Sequence, residues 1–227
     1  MDLAPLVELR GVTKVYREGE SERVVLRGVD VSVARGEFLA LLGRSGSGKS
    51  TLLNLISGID APTTGDILVD GTAVALLSES ERTRFRRHRI GFVFQFFNLI
   101  PTLTVLENLL LPLEMIGRAG AAARAEAETL LHEVALADRR RAYPDRLSGG
   151  EQQRIAVARA LVHDPELILA DEPTGNLDGE SAGVVLALLA RLSRERKKTV
   201  IAATHSAEVA GVASRLLVLR DGRLAPA

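Results

Sequence analysis

Leu39-Ala40-Leu41-Leu42-Gly43-Arg44-Ser45-Gly46-Ser47-Gly48-Lys49-Ser50-Thr51-Leu52-Leu53-Asn54-Leu55 is the stretch from which the rest of the chain is read. An apolar run precedes a glycine-rich octet, and a second apolar run follows it, so the segment reads as strand, loop and helix. The octet Gly43 to Ser50 satisfies G-x-x-x-x-G-K-[ST] at each fixed position, in the strand-to-helix context that the pattern requires. Glycines let successive backbone N–H groups converge on a phosphate without Cβ obstruction. A helix opening near Lys49 adds unpaired N–H groups and the positive end of its dipole. On this reading Lys49 reaches the β- and γ-phosphates of a nucleotide, and the Ser50 hydroxyl completes the shell of a Mg2+ ion. The alternative is a plain Gly/Ser connector, which the flanking strand and helix disfavour.

The chain has 227 residues, one large domain or two small ones, with enough length for a substantial core. Hydrophobic residues at 46% and charged residues at 26% are ordinary for a soluble globular protein. Lys plus Arg equals Asp plus Glu at 29 each, which argues against a broad polyanion-binding surface and leaves a local one open. Cysteine is absent, which excludes disulfides and thiolate metal sites and permits a reducing compartment. Met1-Asp2-Leu3-Ala4-Pro5 lacks the basic segment and apolar core of a signal peptide. The longest apolar runs are strand-sized, so no direct membrane insertion is expected.

Outward from the octet, Leu6 to Tyr16 and Val24 to Val33 predict strands of an antiparallel layer around a turn at Arg17-Glu18-Gly19-Glu20. Gly58 ends the first helix as a C′ residue, with Pro62 beyond it. Gly65 to Gly71 predicts a turn-bounded strand. Leu76 to Arg89, with Arg82, Arg84, Arg86, Arg87 and Arg89, reads as a solvated helix face; a nucleic-acid patch would carry interleaved aromatics. Ile90 to Phe94 predicts a buried strand that delivers Gln95 at its carboxyl end, where ligands collect in parallel α/β sheets. The apolar loop Phe96-Phe97-Asn98-Leu99-Ile100-Pro101 is expected to pack inside, or else to serve a partner as a docking surface.

Thr104 starts a helical stretch that Pro112 is expected to interrupt, and Ala119 to Val134 predicts an amphipathic helix. Residues 96–146 thus form a helical subdomain within a single domain, 1–227, whose core is 1–95 and 147–227. After Leu147, helices at Gln152–Leu161, Gly179–Arg196 and Glu208–Val212 alternate with strands at Glu166–Ala170 and Thr199–Ala203. A closing hairpin runs from Ser214 to Leu224 through Arg220-Asp221. This alternation predicts a mostly parallel sheet covered by helices.

Three further segments carry chemistry. Leu167-Ile168-Leu169-Ala170-Asp171-Glu172 is a buried strand ending in two carboxylates. Asp171 holds Mg2+ opposite Ser50, and Glu172 orients and polarises the water that attacks the γ-phosphorus; the bland alternative is a turn or a helix cap. In Leu147-Ser148-Gly149-Gly150-Glu151, Ser148 and Glu151 match a capping box. That leaves Gly149 and Gly150 unexplained unless bare backbone is required, as in a second phosphate-facing nest serving a nucleotide on another chain. His205 leaves a buried strand through Thr204, either hydrogen-bonding the γ-phosphate or capping the strand end. His88, His132 and His163 are expected at the surface. Asp178 caps a helix or contacts a partner chain.

At these residues the chain resembles the nucleotide-binding subunit of an ATP-binding cassette (ABC) transporter, in the family's order and over nearly its whole length. Walker A resembles GRSGSGKS at 43–50, the Q-loop glutamine Gln95, the signature LSGGE at 147–151, and Walker B with its catalytic glutamate LILADE at 167–172. Asp178 resembles the D-loop aspartate, His205 the switch histidine and Tyr16 the aromatic that stacks on adenine. Ser206 follows His205 where the family usually has aspartate. The resemblance implies the P-loop NTPase cassette fold: α/β, with a mostly parallel core sheet, an N-terminal antiparallel β layer and an inserted helical subdomain. It implies ATP and Mg2+, the ion near Ser50, Gln95 and Asp171, and catalytic roles for Lys49, Gln95, Glu172 and His205. It also implies a head-to-tail homodimer whose nucleotides lie between Gly43–Thr51 of one chain and Ser148, Gly149, Gly150 and Glu151 of the other. A separate membrane permease would dock near Gln95–Leu99 and hold the chain at the cytoplasmic face.

More narrowly, IGFVFQFFNLIPTLTVLENLLLPL at 90–113 and YPDRLSGGEQQRIAVARAL at 143–161 resemble the lipoprotein-release and macrolide-export branch, which also includes a cell-division ATPase. That implies export or extraction of lipoprotein, peptide, lipid or hydrophobic drug, or a regulatory complex that transports nothing. A nucleic-acid or ribosome cassette is disfavoured, because the segment between Gln95 and Ser148 has no room for long coiled coils and there is one cassette.

Overall fold

The computed structural model describes residues 4–19 and 21–227. Met1 to Leu3, within the segment read for a leader, and Glu20, in the first turn, lie outside the described residues. The strands are β1 (Val7–Glu18), β2 (Ser21–Val33), β3 (Phe38–Leu42), β4 (Thr64–Val69), β5 (Thr72–Ala73), β6 (Ile90–Val93), β7 (Leu167–Asp171), β8 (Thr199–Thr204), β9 (Arg215–Arg220) and β10 (Arg223–Pro226). The α-helices are α1 (Lys49–Ile56), α2 (Glu79–Arg89), α3 (Val105–Met115), α4 (Ala121–Glu133), α5 (Gly149–Leu161), α6 (Gly179–Glu195) and α7 (Ala207–Val212).

Two sheets form. One is antiparallel, in the order β2-β1-β4-β5; the other runs β10-β9-β3-β8-β7-β6, parallel except for the β9–β10 hairpin. The parallel strands bury both faces, as apolar runs without alternation must. Side chains of β3 split with period two: Ala40 joins a core with α3 to α6, whereas Leu39 and Leu41 join a core with α1 and the antiparallel sheet. The same division runs through β7 and β8. Register then fixes where chemistry can occur, because Leu42 pairs with Thr204 and Asp171 with Ala203. The residues that leave these strands, Gly43, Glu172 and His205, therefore emerge together at the carboxyl end of the parallel sheet.

Gly91 explains how α5 is seated. A Cβ on this β6 residue would lie 2.1 Å from the carbonyl oxygen of Ala160, so strand and helix touch backbone to backbone. Buried Gln153 of α5 donates Nε2 to the carbonyls of Phe94 (3.2 Å) and Pro173 (2.5 Å). Arg159 donates to Asn98 O (2.5 Å) and Phe97 O (2.9 Å), fastening two consecutive residues with φ of 52° and 54°.

Several expectations need correction. Pro112 lies inside α3, which continues to Met115; so close to the helix end its missing N–H removes one bond and does not break the element. The loop after Gln95 does not pack wholly inside, since Phe96 is 72% exposed while Leu99 rests against the core. The final hairpin turns at Asp221-Gly222, one residue later than read, because both adopt positive φ (51° and 76°) as a tight hairpin requires. His163 is half-buried, not a surface residue: its Nε2 is 3.2 Å from Ile90 O, and burial holds its imidazole below the ordinary value. Residues 96–146 carry α3, α4 and short 3-10 turns with no strand among them.

Gly91→Ala removes the contact that seats α5. It is expected to destabilise the fold by about 2 kcal/mol or more, the upper range of overpacking, measured as a lowered midpoint in urea with an unchanged slope.

Candidate nucleotide site

The phosphate loop owes its shape to three glycines. Gly46 and Gly48 hold φ of 76° and 106°, and a Cβ on Gly43 would lie 2.7 Å from Leu219 O. Gly48 precedes the first turn of α1, so the loop's amides and the helix N-terminus face the same space. That space is a cavity of about 300 Å3 whose walls include Tyr16, Ser45, Gly46, Lys49, Ser50, Thr51, Gln95, Asp171 and Glu172.

Lys49 is buried at 6% exposure, and its ammonium lies 2.8 Å from Gly43 O and 3.3 Å from Glu172 Oε1. Glu172 holds a φ of 46°, which bends its backbone off β7, while its N–H still donates to Ala203 O at 2.8 Å. Its other carboxylate oxygen is 3.0 Å from His205 Nδ1 and accepts from the His205 amide at 3.3 Å. Burial alone would raise the Glu172 carboxyl. The His205 hydrogen bond and the charge of Lys49 outweigh it and hold the group below the usual carboxylate range.

Asp171, one residue earlier, behaves oppositely. Burial pushes its carboxyl up despite a hydrogen bond from Ser50, and the neighbouring charge of Glu172 adds to the rise. Its Oδ1 and the Ser47 hydroxyl are buried without a hydrogen-bond partner. Orphaned oxygens at a phosphate loop fit a divalent cation that takes most of its shell from phosphate and water. Consistent with that sparse donor set, no group of three or more His, Asp or Glu suited to a metal occurs among the described residues.

The remaining site residues divide. Tyr16 donates its hydroxyl to Asp60 at 2.7 Å, and the Lys14 ammonium sits 4.7 Å from its ring centroid. Gln95 pairs with Asn176 twice, Nε2 to Oδ1 at 3.2 Å and backbone O from Nδ2 at 3.0 Å. Asn176, Gln153 and Arg159 were given no role from sequence. Asn176 stood in a polar loop next to Asp178, and the two on α5 were indistinguishable from ordinary helix-surface residues. Asp178 caps α6, accepting from Ser181 N at 2.8 Å, and Ser206 caps α7 where the family usually has aspartate.

Ser148, Gly149 and Gly150 do not line this cavity. They open α5, with the reciprocal Ser148–Glu151 capping box in place. Gly150 has a reason within the chain: a Cβ there would meet the Ser181 side chain at 2.5 Å. A Cβ on Gly149 would find only ordinary contacts, the nearest at 3.6 Å, so packing does not explain that glycine.

Fold and cavity together define a P-loop nucleoside-triphosphatase. The family model described as ABC transporter matches residues 26–175. An uncharacterised ABC transporter ATP-binding protein of Mycobacterium tuberculosis is 55% identical over 227 residues, covering 100% of this chain and 92% of that protein. The lipoprotein-releasing system ATP-binding protein LolD of Geobacter metallireducens is 46% identical over 98% of this chain and 99% of its own. A solved dimeric ATP-binding cassette, in a post-hydrolysis state bound to ADP and Pi, superposes with a TM-score of 0.89 at 42% identity, covering 97% of this chain and 98% of that one. The chain belongs to the ABC transporter family as its ATP-binding, ATP-hydrolysing subunit.

The raised Asp171 carboxyl has a definite sign. Its folded value lies above the unfolded one, so the ionised group opposes folding at neutral pH; this opposition fades as pH falls through the raised folded value and is gone below the unfolded value of about 3.9. Asp171→Asn is expected to raise the melting temperature of the nucleotide-free protein by roughly 2–4 °C at pH 7, with the difference shrinking in acid, and to abolish Mg2+-dependent ATP binding. Thermal unfolding across pH and nucleotide titration measure the two effects.

Proposed function

We propose that two copies of this chain clamp two ATP molecules head to tail and drive a separate integral membrane permease. The observation that carries this reading is a division of labour: Lys49, Ser50, Asp171 and Glu172 share one cavity, while the bare first turn at Ser148–Gly150 opens a different helix and needs a nucleotide from elsewhere. The dimeric state of the solved cassettes supports it.

In this mechanism the loop amides and Lys49 bind the β- and γ-phosphates, and Tyr16 stacks on adenine. Glu172, ionised at neutral pH, accepts a hydrogen bond from the attacking water and aligns it with the γ-phosphorus. His205 fixes the Glu172 carboxylate at 3.0 Å and registers loss of the γ-phosphate. Lys49 steadies charge that develops on the transferred group. Ser50, Asp171 and Gln95 would hold Mg2+, which would supply positive charge to neutralise the phosphates.

Binding favours the closed dimer, and hydrolysis releases it. The motion leaves through the loop after Gln95, where exposed Phe96 receives the permease. No helix among the described residues is long and apolar enough to cross a membrane, so attachment falls to that permease at the cytoplasmic face. Relatives named for lipoprotein release favour a cargo of lipoprotein or a similar amphiphile over the regulatory alternative. ATP-dependent cargo release in membranes reconstituted with the permease tests the transport reading, and ATPase stimulation without release supports the regulatory one.

Glu172→Gln keeps ATP binding and slows turnover by at least about 10²-fold, the effect typical of a lost positioning group, and it accumulates a closed dimer in Mg-ATP by sedimentation. Lys49→Ala loses tight ATP binding, read by equilibrium titration with labelled nucleotide.

A further inference from the structure

Beside the phosphate loop lies a second cleft of about 620 Å3, roughly twice the nucleotide cavity, which Lys49 does not line. It is framed by β2, the entry of the phosphate loop and the β9–β10 turn. Arg23, Arg27, Arg44 and Arg220 line it, against a single acid, Asp221, which pairs loosely with Arg220 at 3.7 Å. Among the described residues no carboxylate forms an ion pair with Arg23, Arg27 or Arg44. In a chain of zero net charge, so many like charges around one cleft repel unless something acidic enters.

We propose that this cleft seats the acidic start of α6 from a second copy of the chain, with Glu180 pairing with Arg44. The proposal rests on the head-to-tail dimer proposed above. That dimer presses Ser148–Gly150 of one copy against the phosphate loop of the other. Gly150 lies directly against Ser181, so whatever meets the start of α5 also meets the start of α6. Three acids stand there. Glu151 is committed to the Ser148 amide at 2.8 Å and lies 3.5 Å from Arg139. Asp178 is committed to capping α6. Glu180, exposed in the first turn of α6, has no described cation partner and is free to reach across. The wall shared by the two cavities, Arg23, Val25, Ser45 and Gly46, makes the cleft continuous with the surface the nucleotide already draws into the interface. Charge complementarity of this kind sets register and speeds encounter.

The test uses the full chain carrying Glu172→Gln, with dimerisation measured by sedimentation equilibrium at saturating Mg-ATP for each variant. Glu180→Arg is expected to weaken the dimer at least about tenfold at low salt, with monomer ATP affinity unchanged. Glu180→Gln gives a smaller loss of the same sign without placing a cation at a helix N-terminus. Adding Arg44→Glu to Glu180→Arg recreates the pair with its charges exchanged. Because Arg44 belongs to the phosphate loop, nucleotide affinity is titrated for each variant and dimerisation is compared at equal nucleotide occupancy. There the double variant recovers to within about threefold of Arg44→Glu combined with Glu180→Gln, or better, and well above Glu180→Arg alone, as a coupled pair requires. Added salt weakens the parent more than the Glu180→Arg variant. If Glu180→Arg dimerises as the parent does, or if the two changes accumulate losses without compensation, the inference is overturned while the dimer stands. A parent that stays monomeric in saturating Mg-ATP overturns both.

Discussion

A buried ammonium beside a half-buried carboxylate governs this molecule. Lys49 and Glu172 come from different segments, one at the start of α1 and one past β7, and meet at 3.3 Å only because β3 and β7 run parallel on either side of β8. Neither charge is tolerable in that setting alone. Together, with Gly43 O and His205 as further partners, they offset one another's charge. In the proposed mechanism a triphosphate competes with Glu172 for Lys49, because the same cation cannot fully satisfy both anions, and binding thereby turns that carboxylate toward water.

The pair works only if its surroundings are stiff. Two side chains of α5, Gln153 and Arg159, reach four backbone carbonyls on three sides of the site: before Gln95, after it, and just past Glu172. Burial lowers the Arg159 guanidinium, yet such a group remains a cation, and the carbonyls of Phe97 and Asn98 supply the dipoles that offset its desolvation. The left-handed backbone at those two residues is the local strain that this clamp sustains. Since α5 also begins with the Ser148 segment, these hydrogen bonds tie the loop after Gln95 to that segment.

Much of this was legible in the sequence, for identifiable reasons. The phosphate loop, the two carboxylates and the order of strands and helices depend on local pattern, where period and glycine placement carry the information. Less legible was anything set by how close two backbones come. Nothing around Gly91 announces that α5 rests on it, and Gly150 invited a ligand when half its explanation is Ser181. Pro112 misled because a proline near the end of a helix removes a single bond. His163 looked like surface because its cover comes from β6, remote in sequence.

The two glycines of the signature illustrate how packing and function separate within one motif. Gly150 is forbidden a side chain by its own chain, because α6 starts within van der Waals distance. Gly149 has room for one, with Phe97 and Leu177 at ordinary separation. Its bareness costs helix stability of about 1 kcal/mol relative to alanine, and nothing inside the protomer returns it. Gly179, the first residue of α6, is likewise free of close internal contacts, so the starts of both helices present bare backbone. In the proposed dimer, close approach of another molecule to these amides is the reason for a glycine that packing within the protomer does not demand.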